Sequence, residues 1–120
     1  MATILAVDDS RTIREMVSAI LTNMGHEVVL ACDGEEALAI AKNTPVDMVL
    51  SDINMPNMNG VSLVLKLRRL ETYKKTPILM LTTESGDDMK LKSKDMGANG
   101  WVQKPFDQAR LEKAVTTMLA

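Results

Sequence analysis

The chain has 120 residues, with 14 lysines and arginines against 16 aspartates and glutamates, a formal charge of −2, and one cysteine. One domain, residues 1–120 with no attached output domain, is the expectation at that length; the charge gives no electrostatic case for nucleic acid or an anionic membrane, and a single cysteine excludes an internal disulfide and suits a reducing compartment. No apolar stretch approaches the roughly 20 residues that span a bilayer, and the amino terminus lacks the basic start and apolar core of a signal peptide, so a soluble, monomeric, cytoplasmic domain is expected.

In chain order, the first apolar run, Thr3–Val7, ends in Asp8-Asp9. Ile13, Met16, Val17, Ile20, Leu21 and Met24 then recur at helical spacing, and Gly25 suits a helix end. The second run, Val28–Ala31, is followed by Cys32-Asp33, where Asp33 and Glu36 form an amino-terminal cap pattern ahead of Ala37, Leu38 and Ala41; Pro45 prevents continuation. The third run, Val46–Ser51, ends in Asp52, and a loop from Ile53 to Asn59 leads to a helix from Gly60 carrying Val61, Val64 and Leu65, with Leu63, Leu67 and Leu70 on an adjoining stripe. The fourth run, Ile78–Leu81, ends in Thr82-Thr83. The helix after it, about Gly86 to Met96, has only Met89, Leu91 and Met96 as large apolar residues, so it should be exposed and easily moved. The fifth run, Trp101–Gln103, ends in Lys104-Pro105, and Asp107 caps a last helix whose Leu111, Ala114, Val115, Met118 and Leu119 face inward.

Five alternations of strand and helix predict a doubly wound (βα)5 α/β fold with a five-stranded parallel sheet. The carboxyl ends of parallel strands share one edge, where open α/β sheets bind ligands. Asp8, Asp9 and Asp52, the Thr82 hydroxyl and the Lys104 ammonium would therefore converge. Crowded carboxylates repel, and a hard divalent ion such as Mg²⁺ relieves the repulsion. An aspartate can attack a phosphoryl group and form an acyl phosphate; Lys104 and Thr82 would hold phosphoryl oxygens, and phosphoryl transfer asks for little beyond such positioning and charge stabilisation. Taken singly, each residue has a plainer reading: Asp9 or Ser10 as a helix cap, Lys104 as a solvated lysine, Thr82 as an ordinary strand residue.

Asp8-Asp9, Asp52-Ile53-Asn54-Met55-Pro56, Asn59-Gly60, Thr82 and Lys104-Pro105-Phe106 resemble, as an ordered set, the signature of two-component response regulator receiver domains, over essentially the whole chain. Thr82-Thr83-Glu84 and the loop after Asp52 resemble CheY-type single-domain chemotaxis regulators in particular. The resemblance implies a flavodoxin-like sheet of order 2-1-3-4-5, the order such regulators have. It implies that Asp52 accepts phosphate from a histidine kinase, that Asp8, Asp9, Asp52 and the Asn54 backbone carbonyl hold Mg²⁺, and that Lys104 and Thr82 contact the phosphoryl group. It also implies a cis Lys104–Pro105 peptide, tuning of dephosphorylation by Asn54 and Glu84, and a switch in which Thr82 moves and Trp101 rotates inward, altering the surface of helix four, strand five and helix five. Implied partners are a chemotaxis-type histidine kinase, the flagellar motor switch protein and a phosphatase. Two departures stand out: tyrosine is common in such regulators at the Trp101 position, and Gly86-Asp87-Asp88 with Lys90 opens helix four where basic or apolar residues are familiar.

The expected function is thus a signalling switch with self-directed catalysis only, in chemotaxis. A phosphate sink or relay without motor binding is the alternative. An aspartyl-nucleophile phosphatase is disfavoured, because Asn54 stands two positions after Asp52 where such enzymes carry a second carboxylate. Elsewhere His26 reads as a solvent-facing turn residue, Cys32 as a small buried one, and Lys66, Arg68, Arg69, Lys74 and Lys75 as a solvated basic face.

Overall fold

The computed structural model describes residues 1–55, 57–83 and 87–120, apart from the side chains at 87–90 and 93. Strands β1 (Thr3–Val7), β2 (Glu27–Ala31), β3 (Met48–Asp52), β4 (Ile78–Thr82) and β5 (Gly100–Gln103) alternate with helices α1 (Arg11–Asn23), α2 (Gly34–Asn43), α3 (Gly60–Arg68), α4 (Asp87–Met96) and α5 (Gln108–Leu119), and a 3₁₀ turn, Glu71–Tyr73, follows α3. All pairings are parallel and the sheet order is β2-β1-β3-β4-β5, as the resemblance implied.

The central strands β3 and β4 are buried along their whole length, which explains why they read as unbroken apolar runs rather than as alternations. Two cores flank the sheet. One gathers Leu5, Val7, Val49 and Met80 with Ala37 and Ala41 of α2 and Leu63, Val64 and Leu67 of α3; the other gathers Ile4, Ala6, Leu50 and Leu81 with Val17, Ile20 and Leu21 of α1 and Leu111 and Val115 of α5. Among the described residues, Ser10, Asp33, Asn59 and Asp107 each cap a helix by accepting the N–H three residues on. These caps fix where each strand end turns into its helix, and so where the site residues point.

Several local expectations are corrected. Met16 and Leu65 are exposed, at 38% and 48%, because Val17, Ile20 and Leu21 in α1, and Leu63, Val64 and Leu67 in α3, already fill the helix–sheet contact. Cys32 is exposed, since it lies just past the end of β2. His26 is half-buried, with Nδ1 accepting the Ala2 N–H at 3.1 Å. Arg68 leaves the solvated basic face altogether. Its Nη1 donates to the carbonyls of Tyr73 and Thr76 (both 2.7 Å), Nε and Nη2 donate to the Gly97 carbonyl (3.0 and 2.9 Å), and Nη2 also donates to Asn99 Oδ1 (3.0 Å). It thereby ties the end of α3 to the end of α4 and to the loop entering β4.

Candidate functional site

The register sets the site. Val7 stands opposite Ser51, Asp52 opposite Leu81 and Thr82 opposite Gln103, so Asp8, Asp52, Thr82 and Lys104 emerge at one edge from four adjacent strands. Asp8, Asp52 and Thr82 are buried, at 3%, 6% and 1% exposure, whereas Asp9 is exposed and Lys104 half-buried. Each of Asp8, Asp9 and Asp52 offers a carboxylate oxygen, and these atoms lie within 4.8 Å of one another.

Lys104 reaches into this cluster. Its Nζ donates to Asp8 Oδ2 at 2.8 Å and lies 3.4 Å from Asp52 Oδ1. Asp8 is further fixed by the Ser10 N–H on Oδ1 (2.9 Å), and its backbone carbonyl accepts from Arg14 Nη1 (2.8 Å). The Lys104 N–H donates to the Thr82 carbonyl at 2.6 Å, joining β4 to β5 at the site, and the Lys104–Pro105 peptide is cis. Burial pushes the Asp52 carboxyl above its ordinary value. The Lys104 ammonium opposes that rise, the Asp8 carboxylate adds to it, and the Asn54 N–H, donating to Asp52, opposes it again.

Among the described residues, one ammonium faces three carboxylates, which leaves the crevice negative, and its donors are hard oxygens. That combination fits a divalent cation of the Mg²⁺ kind, which takes a few carboxylate oxygens and keeps several waters. Trp101 of β5 is half-buried and packs against the core on the α2–α3 side. Its indole Nε1 is buried with no hydrogen-bond partner among the described residues. Glu84, like Pro56 and Gly86, lies outside the described residues, as do the side chains of Asp87, Asp88, Met89 and Lys90. Sequence reasoning missed how the loop after Asp52 is fastened to α2. The Asp33 cap pattern pointed only within its own helix, yet the Asp33 carboxylate also accepts from Asn57 Nδ2 at 3.0 Å.

Residues 4–116 match the model of the response regulator receiver domain family. A chemotaxis protein CheY homolog of Campylobacter jejuni is 38% identical over 118 residues, covering 97% of this chain and 91% of that protein. The structure of the chemotaxis response regulator CheY4 of Vibrio cholerae superposes with a TM-score of 0.95 at 49% identity, covering 99% of each chain. A receiver domain of a sensor histidine kinase from Pseudomonas aeruginosa, solved with a magnesium ion coordinated in its active site cleft, superposes with a TM-score of 0.89 at 27% identity, covering 98% of this chain and 97% of that one.

Proposed function

Because the chain belongs to the response regulator receiver domains, and within them to the CheY type, we propose that it is a phosphorylation-controlled switch whose Asp52 accepts a phosphoryl group from the phosphohistidine of a chemotaxis-type histidine kinase. Receiver domains are signalling switches rather than enzymes acting on external substrates. The observation that carries the proposal is the convergence of Asp8, Asp9, Asp52 and Lys104 on one strand edge, with a single ammonium bridging two buried carboxylates.

Asp8, Asp9, Asp52 and the Asn54 carbonyl would hold Mg²⁺, which when bound neutralises charge on the transferring group. An Asp52 oxygen attacks phosphorus; the O–P bond forms as the N–P bond of the donor breaks, and its electron pair stays on the imidazole. Lys104 exchanges its carboxylate partners for a phosphoryl oxygen, and the Thr82 hydroxyl hydrogen-bonds another. Water later attacks phosphorus and restores the carboxylate, with Asn54 and Glu84 flanking the group and tuning that rate. The drawing of Thr82 toward the phosphoryl group makes room for Trp101 to turn inward, which changes the α4–β5–α5 surface. The buried Trp101 N–H, without a hydrogen-bond partner among the described residues, supports this, since an unpaired buried donor disfavours the conformation that holds it by about 1–3 kcal/mol. The output is chemotaxis signalling to the flagellar motor switch by a cytoplasmic, monomeric receiver domain, reset by autodephosphorylation or a phosphatase.

The test is transfer of labelled phosphate from the kinase phosphohistidine, with and without Mg²⁺. Stoichiometric, Mg²⁺-dependent labelling that Asp52→Asn abolishes is the expected result; undiminished labelling of that variant overturns the assignment. A second reading, a phosphate sink or relay, draws support from the similar receiver that belongs to a sensor histidine kinase. Comparing motor-switch peptide binding in the Mg²⁺ and Mg²⁺–beryllofluoride forms separates the two: tighter binding in the mimic supports motor output, and no binding in either form supports the sink or relay.

A further inference from the structure

The loop that leaves Asp52 is fastened at both ends. At its near side the Gly60 N–H donates to the Ile53 carbonyl at 2.7 Å, and a Cβ on Gly60 would run into the Asp52 carbonyl and the Ile53 Cα. The far side is held by α2. The Asp33 carboxylate divides its oxygens between two elements: Oδ1 caps α2 by accepting the Glu36 N–H at 2.8 Å, and Oδ2 accepts from Asn57 Nδ2 at 3.0 Å. The Glu36 N–H and the Asn57 amide together hold the Asp33 carboxyl below its ordinary value. Asn57 itself has a φ of 66°, in the left-handed region that asparagine tolerates better than most side chains. The next residue, Met58, is 9% exposed. It lies so close to Gly34 that an added Cβ there would sit 2.6 Å from the Met58 carbonyl oxygen and 2.8 Å from its Cβ. Between these fastenings lies Asn54, exposed, with its N–H donating to the Asp52 carboxylate.

We propose that the Asp33–Asn57 hydrogen bond and the Gly34–Met58 contact form a latch that positions Asn54 against Asp52 for cation binding. This rests on reading Asp8, Asp9, Asp52 and the Asn54 carbonyl as the Mg²⁺ site. Asp33 and Asn57 touch neither cation nor phosphoryl group, so they are positioning residues. The physical case is preorganisation. A ligand carried on a loop contributes affinity only to the extent that the loop already holds it in place. Partners behind metal ligands commonly matter by about 10–100-fold in affinity, and a hydrogen bond to an ionised acceptor is among the stronger kinds. Because Asn57 is exposed and Asp33 only partly buried, the effect belongs below that range, about threefold to tenfold. Linkage then runs both ways: whatever the latch adds to cation binding, the cation adds to the latch, so occupancy of the site stiffens the amino-terminal end of α2.

The test uses the full chain, with calorimetric titration of Mg²⁺ and the rate of phosphorylation by the kinase phosphohistidine as readouts. Asp33→Ser keeps a helix cap while giving up the second acceptor, and Asn57→Gly suits the positive φ while giving up the amide. Each should weaken Mg²⁺ binding by threefold or more, and the double variant should be no weaker than the worse single. The exchanged pair Asp33→Asn/Asn57→Asp, which again sets one carboxylate against one amide, should recover the wild-type affinity to within twofold. A merely structural role would shift thermal stability without that recovery. Losses below threefold in either single variant, effects that multiply in the double variant, or an exchanged pair no better than the singles would each overturn the latch. Failure of the site reading itself is distinguishable, because the wild-type chain would then show no Mg²⁺ binding.

Discussion

Replacing Asp52 by asparagine should make the cation-free protein more stable. The Asp52 carboxylate shares its crevice with Asp8 and Asp9 oxygens within 4.8 Å and has Lys104 Nζ at 3.4 Å. At an effective dielectric constant of about 20, carboxylates about 4.8 Å apart repel by roughly 3.5 kcal/mol, and an ion pair at about 3.4 Å attracts by roughly 5 kcal/mol. Asp9 is exposed, so solvent screens much of its share, but burial of Asp52 adds a cost of its own and the balance stays against the charge. That agrees in sign with the raised Asp52 pKa. Asparagine keeps the shape and removes the charge, so the gain should be about 1–2 kcal/mol at neutral pH, or about 3–8 °C in melting temperature for a domain of this size. A carboxyl whose pKa is raised by folding loses stability as pH climbs from its ordinary value to the raised one. The advantage of Asp52→Asn should therefore vanish below the ordinary carboxyl value of 3.8. With Asp52 as a cation ligand, as proposed, Mg²⁺ should reverse the order: at about 100 times its Kd it should add about 2.7 kcal/mol to the wild type and far less to the variant. Thermal denaturation followed by circular dichroism, in EDTA and in excess Mg²⁺, measures both effects. A variant less stable than the wild type in EDTA, or an equal Mg²⁺ gain in both proteins, would refute the reasoning.

Lys104→Ala should act in the opposite sense, destabilising the cation-free protein by about 3 kcal/mol because two buried carboxylates lose their ammonium; urea unfolding should show Mg²⁺ restoring part of the loss. Arg68→Ala should cost about 2–3 kcal/mol, since the Tyr73, Thr76 and Gly97 carbonyls and Asn99 Oδ1 lose a charged donor. Arg68→Lys should recover only part of this, as a point-like ammonium cannot span those acceptors. Asp33, held below its ordinary value first by the Glu36 N–H and then by Asn57, contributes stability above the ordinary carboxyl pKa that is lost as pH falls through the lowered one. An NMR titration should accordingly show the Glu36 and Asn57 resonances moving together in that acid range.

The fold was legible because each strand is short, apolar and bounded by cap or turn residues, and five such units of alternating period leave few topologies. The site was legible because parallel strands bring their carboxyl ends together, so residues as far apart in sequence as Asp8 and Lys104 could be assigned to one crevice before any distance was known. What escaped were contacts that no periodicity encodes. Arg68 looks like every other lysine or arginine around it; only the arrival of the Gly97, Tyr73 and Thr76 carbonyls at one point distinguishes it. Tyr73 sits in a 3₁₀ turn without an apolar pattern, yet its hydroxyl lies 2.6 Å from the Ala41 carbonyl and 3.1 Å from that of Thr44, closing the carboxyl end of α2. Met16, Leu65 and Cys32 erred the other way, because residue type alone does not tell which of several apolar stripes a sheet will cover.

The same geometry fixes how a change at Asp52 would travel. Lys104 is committed to Asp8 and Asp52, so in the proposed reaction a phosphoryl oxygen would compete for a donor already in use, and a bound Mg²⁺ would compensate the carboxylates as Lys104 left them. That reassignment would pull on the end of β5, where the Lys104 N–H also grips the Thr82 carbonyl. Trp101 stands three residues upstream on that strand, its buried indole N–H without a hydrogen-bond partner among the described residues, so a pull there should change its environment. Acrylamide quenching of the single tryptophan reads this directly: the quenching constant should change between the Mg²⁺ form and the Mg²⁺–beryllofluoride form, falling if the indole turns inward. In Lys104→Ala the change should shrink even where beryllofluoride still binds. Equal quenching in the two wild-type forms would refute coupling of Trp101 to the site, because the single tryptophan would have registered nothing as the phosphoryl mimic bound.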